Sequence, residues 1–256
     1  MASTGTARRF GRRTARRGRT GNFSGVAPLD NPVWHALEGP LAHFGVTEAG
    51  AGRLDPVFAP FAALSREPRG ESWEALAGLV APGETVVVVA AEPLEPGPDF
   101  VGGAPGVGAQ MVATALRSAP DTEAVLLGPD DLDEVLALIE ATQPGPFRDR
   151  TLEFGTYLGI KKAGRLVAMA GERLRVPGYT EISAVCTHPD FAGRGLAARL
   201  VRAVAAGMLE RGETPMLHAA RSNTRAIELY LRLGFTIRRD LWFMAATRTP
   251  GDRHPG

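Results

Sequence analysis

Nine alternating segments between residues 121 and 247 constrain the fold more strongly than any other feature of this sequence. Their hydrophobic pattern changes between the two-residue repeat of a strand and the 3.6-residue repeat of a helix, in the order β-α-β-β-β-α-β-α-β. The predicted strands are residues 123–127, 156–160, 165–173, 179–187, 216–219 and 236–245, and the predicted helices are residues 129–141, a helix after Gly195 and residues 223–233. Because several consecutive strands are joined by short turns, we expect an α+β fold with a mixed sheet flanked by helices.

The sequence before residue 121 carries fewer signals, and we predict an N-terminal α/β lobe at residues 29–120. Asn31, followed by a proline, marks the start of a helix whose apolar positions continue to Phe44. Ser72 is expected to cap a second helix. The other predicted elements are two strands at residues 85–90 and 110–113 and a glycine-rich loop at residues 102–108.

Both ends of the sequence lack the apolar residues that a folded core needs. Residues 1–28 contain seven arginines and no acidic residue, which predicts a disordered arm, and residues 248–256 predict a flexible tail. The net charge of +1 therefore divides into seven positive charges on the arm and a net −6 on the rest of the chain. The arm has two interpretations: a solvated chain end, or a segment whose arginines bind the phosphates of a nucleic acid.

The composition excludes several classes of protein. Hydrophobic residues make up 44% and charged residues 22% of the 256 residues, so a coiled coil, a collagen or a wholly disordered chain is excluded. Cys186 is the single cysteine, which excludes an intrachain disulfide and suits a reducing, cytoplasmic setting. No apolar run reaches the ~18 residues of a membrane helix, and the histidine spacing indicates no metal site, so we expect neither a membrane partner nor a metal.

A strand, a glycine-containing loop and an amphipathic helix follow one another directly at residues 187–197. Gly193 and Gly195 let the backbone approach a bulky ligand closely. The helix that begins at Leu196 directs its first N–H groups and the positive end of its dipole toward the same point, which suits a pyrophosphate group. Arg194 either adds a positive charge to this site or is an ordinary surface residue.

A second motif lies about thirty residues further along the chain, at residues 223–235. Asn223 and Tyr230 are two helical turns apart and share one face of a helix that Gly234 ends. The two motifs together resemble the GNAT superfamily of acyl-CoA-dependent N-acyltransferases. Its pyrophosphate motif Q/R-x-x-G-x-G/A is similar to residues 192–197, and its motif Asn-x-x-Ala-x-x-x-Tyr-x-x-x-Gly-Phe is similar to residues 223–235. The resemblance covers residues 121–247 and departs from the family at Ala192, where Gln or Arg is usual.

The resemblance implies that acetyl-CoA binds in a cleft between the strands at residues 179–187 and 216–219. The pantetheine arm would pair with the backbone like an added strand, and the N–H of Val185 would polarise the thioester carbonyl. Asn223 would contact the pantetheine. The residues expected to bind the cofactor are Val185, Cys186, Thr187, Ala192, Gly193, Arg194, Gly195, Leu196, Ala197 and Asn223.

Tyr230 is the expected general acid, which would protonate the departing thiolate. The attacking amine must lose a proton, and Glu181 is either the base that accepts it or an exposed carboxylate of its strand; both interpretations stay open. Glu172 is a weaker candidate for the base. His188 is expected to be a loop residue, and Cys186 a buried side chain rather than a nucleophile.

The resemblance therefore implies an N-acetyltransferase that transfers the acetyl group of acetyl-CoA to a primary amine by direct attack in a ternary complex. The sheet would be mixed and mostly antiparallel, and the protein a monomer or homodimer. Residues 29–120 would shape the acceptor side or form a degenerate second copy of the fold. Two alternatives remain: a non-catalytic, acyl-CoA-binding regulatory protein, and an acetyltransferase that binds nucleic acid through its arm. The acceptor is left open between small-molecule and peptide amines.

Overall fold

The computed structural model describes residues 28–65 and 70–250. The predicted arm therefore lies outside the described residues except for Pro28, which begins a short 3-10 helix. Of the predicted tail, Arg248 is the last residue of the final strand, and residues 251–256 lie outside the described residues.

Twelve strands and five helices make up the described part of the chain. The strands are β1 (Gly45–Glu48), β2 (Ala51–Leu54), β3 (Phe61–Leu64), β4 (Thr85–Ala90), β5 (Phe100–Gly102), β6 (Gly106–Ala113), β7 (Ala124–Leu126), β8 (Tyr157–Lys162), β9 (Arg165–Val176), β10 (Tyr179–Thr187), β11 (Thr214–Ala220) and β12 (Phe235–Arg248). The helices are α1 (Pro32–Leu37), α2 (Gly70–Leu79), α3 (Leu132–Thr142), α4 (Leu196–Glu210) and α5 (Thr224–Leu233).

All described strands belong to one mixed sheet, in the order β1-β2-β3-β4-β12-β6-β11-β10-β9-β8-β7, with β5 also pairing with β12. Only the pairs β3–β4 and β10–β11 of this sheet are parallel, and the others are antiparallel. The predicted fold class, a mixed and mostly antiparallel sheet flanked by helices, is confirmed.

Two parallel units recur in this sheet: β3–α2–β4 and β10–α4–β11. Each unit consists of two strands joined by a helix. Strands from both halves of the chain lie between the two units in the sheet. Strand β6 lies between β11 and β12, and β12, at the end of the chain, pairs with β4. The sheet therefore continues past residue 120, and the domain boundary predicted there stays a prediction.

Helices cover both faces of the sheet. Helices α1 and α3 pack on one face, here called the α1/α3 face, where apolar side chains such as Val33, Leu174 and Leu138 are buried. Helices α2, α4 and α5 pack on the opposite face, the α4/α5 face, over residues such as Ile182 and Leu217. Alternate residues of one strand face opposite sides, so each position on β10 and β11 can be assigned to a face.

Three local predictions were wrong. Helix α1 ends at Leu37, because Gly39 and Pro40 follow and neither continues a helix, so Phe44 is not part of it. Helix α2 already begins at Gly70, which places Ser72 inside the first turn, buried, rather than at the cap. The glycine-rich residues 102–108 form the ends of β5 and β6, and only residues 103–105 form a loop.

Candidate active site

Strands β10 and β11 diverge after a short paired stretch. They pair only through Tyr179–Glu181 on β10 and Thr214–Met216 on β11. Beyond these residues β10 remains with β9, whereas β11 remains with β6. The facing edges of the two strands are therefore left without a partner in the sheet, and this opening is the cleft between β10 and β11. The resemblance implied such a divergence at this place.

A bulge interrupts β10 beside the cleft. The pairing with β9 shifts between Ser183 and Cys186, so Ala184 and Val185 have no partner on β9 or on β11. Ala184 has a positive φ of 51°, which is uncommon outside glycine and costs about 1–3 kcal/mol. The bulge frees the backbone of Val185 from pairing at the point where the resemblance expects an oxyanion-stabilising N–H.

The loop after β10 ends in two glycines with left-handed backbone. Gly193 has φ +77° and Gly195 has φ +74°, and α4 begins at the next residue, Leu196. The N–H groups of Gly193, Arg194 and Gly195 donate to no backbone carbonyl of the described residues. Those of Leu196 and Ala197 lie in the first helical turn, where the helix itself offers no acceptor. Five consecutive N–H groups are thus available to an anion at the positive end of the dipole of α4.

The side chains of this loop contribute less than its backbone. Ala192 is exposed, with extended backbone, and offers no polar group. Arg194 is exposed and directs its guanidinium over the ring of Phe191, 4.8 Å from the ring centroid, and to the carbonyl oxygen of Asp190 at 3.2 Å. The hydroxyl Oγ1 of Thr187, at the end of β10, is buried without a partner among the described residues.

Tyr230 lies on α5 and is buried with Val185 and Leu196 in one apolar cluster on the α4/α5 face. Its ring meets that of Phe235 edge-on, with the centroids 6.0 Å apart. Burial raises the pKa of Tyr230 to about 12, with a smaller contribution from neighbouring Cys186. The phenol is therefore fully protonated at neutral pH, as a proton donor must be.

Asn223 and Cys186 take mainly structural positions. Asn223 is exposed and caps α5, with its Oδ1 accepting the N–H of Ala226 at 3.1 Å, so the amide nitrogen is the part of its side chain left for a ligand. Cys186 is buried on the opposite face, in the cluster under α3. Burial raises the pKa of Cys186 to about 11, so it stays a thiol.

Glu181 is neither exposed nor a free base. It is 1% exposed on the α1/α3 face and accepts four hydrogen bonds. Arg173 donates two of them, at 2.9 and 2.7 Å, His218 donates one from Nδ1 at 2.7 Å, and the N–H of Leu174 donates one at 3.3 Å. Burial alone would raise the pKa of Glu181, but Arg173 and His218 outweigh it and hold the pKa well below its ordinary value. All four lone-pair positions of the carboxylate are occupied, which argues against Glu181 as the base.

Glu172, the weaker candidate, is occupied in a similar way. It is 1% exposed, and it accepts hydrogen bonds from Arg175 at 3.1 Å and Arg211 at 2.9 Å. Both carboxylates are therefore buried and paired with arginines, which argues against either as the base.

A polar chain that the sequence did not reveal continues from Glu181 across the sheet. Gln110 on β6 is fully buried, and its Nε2 donates to the carbonyl oxygen of Leu29 at 2.8 Å and to Nε2 of His218 at 3.1 Å. Its Oε1 accepts from Arg238 at 2.9 Å. These partners fix the orientation of the amide, so His218 accepts at Nε2 and carries its proton on Nδ1, toward Glu181. The sequence showed only that His218 and Leu217 alternate along a strand. It did not indicate which residues His218 contacts.

Two further features, a metal site and a membrane-spanning helix, are absent from residues 28–65 and 70–250. No group of histidine, cysteine, aspartate and glutamate side chains there is arranged to hold a metal ion. No helix in the same ranges is both long and apolar enough to cross a membrane.

The cleft between β10 and β11, the glycine-containing loop before α4 and the buried Tyr230 together form a site that can be compared with those of known protein families. The model of the FR47-like protein family matches residues 157–243, from β8 into β12. No curated protein sequence matches the chain.

Solved structures extend the match to most of the chain. A Novosphingobium aromaticivorans protein described as an acetyltransferase of the GNAT family is 41% identical, with a TM-score of 0.82 over 88% of this chain and 100% of that one. A GCN5-related N-acetyltransferase from Kribbella flavida is 16% identical, with a TM-score of 0.57 over 86% of this chain and 95% of that one. A Drosophila protein is 15% identical, with a TM-score of 0.55 over 78% of this chain and 74% of that one. The last two show a similar fold only. The 41% identity to the first of these structures shows that the chain belongs to the GNAT family of acetyltransferases.

Proposed function

We propose that the chain transfers an acetyl group from acetyl-CoA to a primary amine by direct attack within a ternary complex. The observation that carries this proposal is the meeting of three features at one place: the free strand edges of the cleft, the glycine loop at the start of α4, and the protonated Tyr230. Each feature suits a different part of an acyl-CoA thioester.

The glycine loop and the strand edge suit the two ends of the coenzyme. The N–H groups of residues 193–197 bind the pyrophosphate, and they do not need the Gln or Arg that Ala192 replaces. The backbone of residues 185–187 pairs with the amide groups of the pantetheine arm in the manner of an added strand. The amide nitrogen of Asn223 donates to the same arm.

The thioester supplies an activated acyl carbon, and the chain supplies the groups around it. The amine nitrogen forms a bond to this carbon, the carbon–sulfur bond breaks, and the amine loses one proton to solvent water, from which the Tyr230 hydroxyl is later restored. The N–H of Val185 donates to the carbonyl oxygen while that oxygen carries negative charge. Tyr230 donates its hydroxyl proton toward the sulfur as the thiolate leaves.

The amine must reach the cleft in its neutral form, since all four lone-pair positions of Glu181 are occupied and Glu172 is buried in ion pairs with Arg175 and Arg211. An α-amine with a pKa of about 7.7–8.0 supplies far more neutral amine at pH 7 than an alkylamine with a pKa of about 10.4. This range is that of a peptide N-terminus, so we place peptide N-termini before free amino acids, polyamines, antibiotics and lysine side chains in the order of acceptors to be tested.

The test is release of the coenzyme A thiol from acetyl-CoA in the presence of a panel of these amines, with the N-acetyl product identified by mass spectrometry. The proposal expects amine-dependent release and an acceptor 42 Da heavier, the mass of an acetyl group replacing a hydrogen. Binding of acetyl-CoA without turnover for any amine of the panel would contradict it and favour an acyl-CoA-binding regulatory protein.

A further inference from the structure

We propose that the hydroxyl of Tyr157, on β8, binds the amine of the acceptor beside the bulge of β10. This inference rests on the proposed function and adds to it the group that orients the nucleophile. It begins from a buried polar atom that the fold does not satisfy.

Tyr157 is 1% exposed, and its hydroxyl forms no hydrogen bond with any described residue. A buried hydroxyl without a partner loses its hydrogen bonds to water and gains none from the protein, so folding pays its full desolvation penalty. Most buried polar groups are hydrogen-bonded, and an exception calls for a physical reason. A ligand that completes the hydrogen bond is such a reason.

The ring of Tyr157 lies across β9 and leads toward the bulge. Tyr157 is paired with Gly171 on β9, and Gly171 is paired on its other side with Ser183 on β10. A Cβ atom at Gly171 would lie 2.1–2.4 Å from atoms of the Tyr157 ring, so only glycine leaves room for the ring at this point. Adjacent strands are about 4.8 Å apart, and the tyrosine side chain is therefore long enough to carry its hydroxyl past β9 to the side of Ser183.

Tyr157 and Tyr230 approach the bulge from opposite faces of the sheet. Tyr157 belongs to the cluster under α3, on the α1/α3 face, whereas Tyr230 belongs to the cluster under α4 and α5. The Tyr157 hydroxyl thus lies on the face opposite Tyr230, the proton donor for the leaving thiolate. An amine can approach the thioester from that face.

The hydroxyl suits an amine as a hydrogen-bonding partner and not as a base. Burial raises the pKa of Tyr157, so the phenol remains neutral, and its oxygen accepts an N–H of a neutral amine while the nitrogen lone pair points elsewhere. The charged groups around it are already paired, Arg173 with Glu181, and Glu172 with Arg175 and Arg211. The ring of Phe147 meets the ring of Tyr157 edge-on, with the centroids 5.8 Å apart.

The test compares Tyr157→Phe with wild-type protein, using acetyl-CoA and the amine of the panel that gives the highest kcat/KM. We expect the KM of the amine to rise about 3–10-fold, the range of one neutral hydrogen bond, while the Kd of acetyl-CoA measured by titration stays the same. We also expect the melting temperature to stay the same or to rise, because the variant removes an unsatisfied polar group. The matched control is Tyr179→Phe, at the partly exposed start of β10, which should change neither constant.

An unchanged KM of the amine in Tyr157→Phe would overturn the inference, and so would a lower melting temperature, since this would reveal a partner for the hydroxyl within the fold. Failure of the proposed function gives a different result: wild-type protein would then transfer acetyl to no amine of the panel. In that case a lower melting temperature of Tyr157→Phe still counts against the inference.

Discussion

The two parallel units of the sheet have the same topology but different interiors. In β3–α2–β4 the strands pair at Phe61–Val87 and Ala62–Val88, and all four residues of β3 are buried. In β10–α4–β11 the strands separate beyond Glu181, and the edge of β10 is interrupted by a bulge. Both pairs of strands are thus short, but the first unit is covered by apolar packing and by Asn31, whose side chain donates to the carbonyl oxygen of Leu64, whereas the second leaves Ala184 and Val185 without partners on β9 or β11.

The connections of the two units differ as well. Residues 65–70 after β3 contain a proline and a single glycine, whereas the loop after β10 contains Gly193 and Gly195. Strand β11 is followed by α5, which carries Tyr230, whereas residues 91–99 after β4 contain no helix. The comparison indicates that parallel strands joined by a helix are not sufficient for a cofactor site. The edges of the strands must also be left uncovered, and the loop and the following helix must supply donors.

Tyr230 should give the largest effect, because nothing in the first unit corresponds to it. Tyr230→Phe removes the proton donor but keeps the ring in its apolar cluster. We expect kcat to fall about 10²–10⁴-fold, equivalent to about 3–5 kcal/mol, with the Kd of acetyl-CoA unchanged. Steady-state kinetics with the preferred amine and titration of acetyl-CoA measure the two effects. An unchanged kcat would remove Tyr230 from the mechanism.

Glu181 should affect stability more than any other carboxylate of the second unit. Glu181→Gln leaves Arg173 buried without its anionic partner, and we expect a loss of about 3–5 kcal/mol in the free energy of unfolding at pH 7. The folded-state pKa of Glu181 lies below its ordinary value of 4.5, so its stabilisation is complete above about pH 4.5 and decreases as the pH falls further. Urea unfolding of both proteins at pH 7 and at pH 3.5 should therefore show a smaller difference at the lower pH.

The control for Glu181 is Glu153→Gln, which breaks an exposed pair with Arg150 and should leave the stability unchanged. A difference between wild type and Glu181→Gln that stays constant from pH 7 to pH 3.5 would contradict the ion-pair explanation. If folded Glu181→Gln loses the acidic limb of the wild-type pH–rate profile, Glu181 is the base after all.

Gly195 should give the smallest effect, but the most specific one. Gly195 has φ +74° and Gly164, in the turn between β8 and β9, has φ +78°, and a Cβ would contact nothing at either position. Each change to alanine should cost about 1–2 kcal/mol of stability through backbone strain alone. Only Gly195→Ala should also weaken binding of acetyl-CoA, about 10-fold, because it disturbs N–H groups of the loop. Equal Kd values for the two variants would show that the loop does not bind the coenzyme.

The sequence predicted the elements of the second unit well, because their signals are local. Strand β10 has the expected bounds, Tyr179–Thr187, and the helix predicted at residues 223–233 is α5, Thr224–Leu233, with Asn223 as its cap. Glycines and a capping asparagine act on the residues next to them, so their effect can be inferred without the tertiary structure.

The environment of Glu181 could not be predicted in this way. Its partners lie on β9 and β11, and the polar chain continues to Gln110 on β6, 71 residues earlier in the sequence. These contacts exist only because β6 enters the sheet beside β11 and because the strand registers align the side chains on one face. The position of Tyr157 could not be predicted for the same reason, since it depends on the pairing of Gly171 with two neighbouring strands.

Hydrogen–deuterium exchange with and without acetyl-CoA tests the difference between the two units most directly. Binding at the cleft should slow exchange at residues 183–187, 193–198 and 223–230, where backbone N–H groups are free or lie beside the cleft. Residues 61–64 and 85–90 of the first unit should exchange at the same rate in both states. Protection confined to the second unit would agree with this account, and protection of the first unit, or of neither, would contradict it.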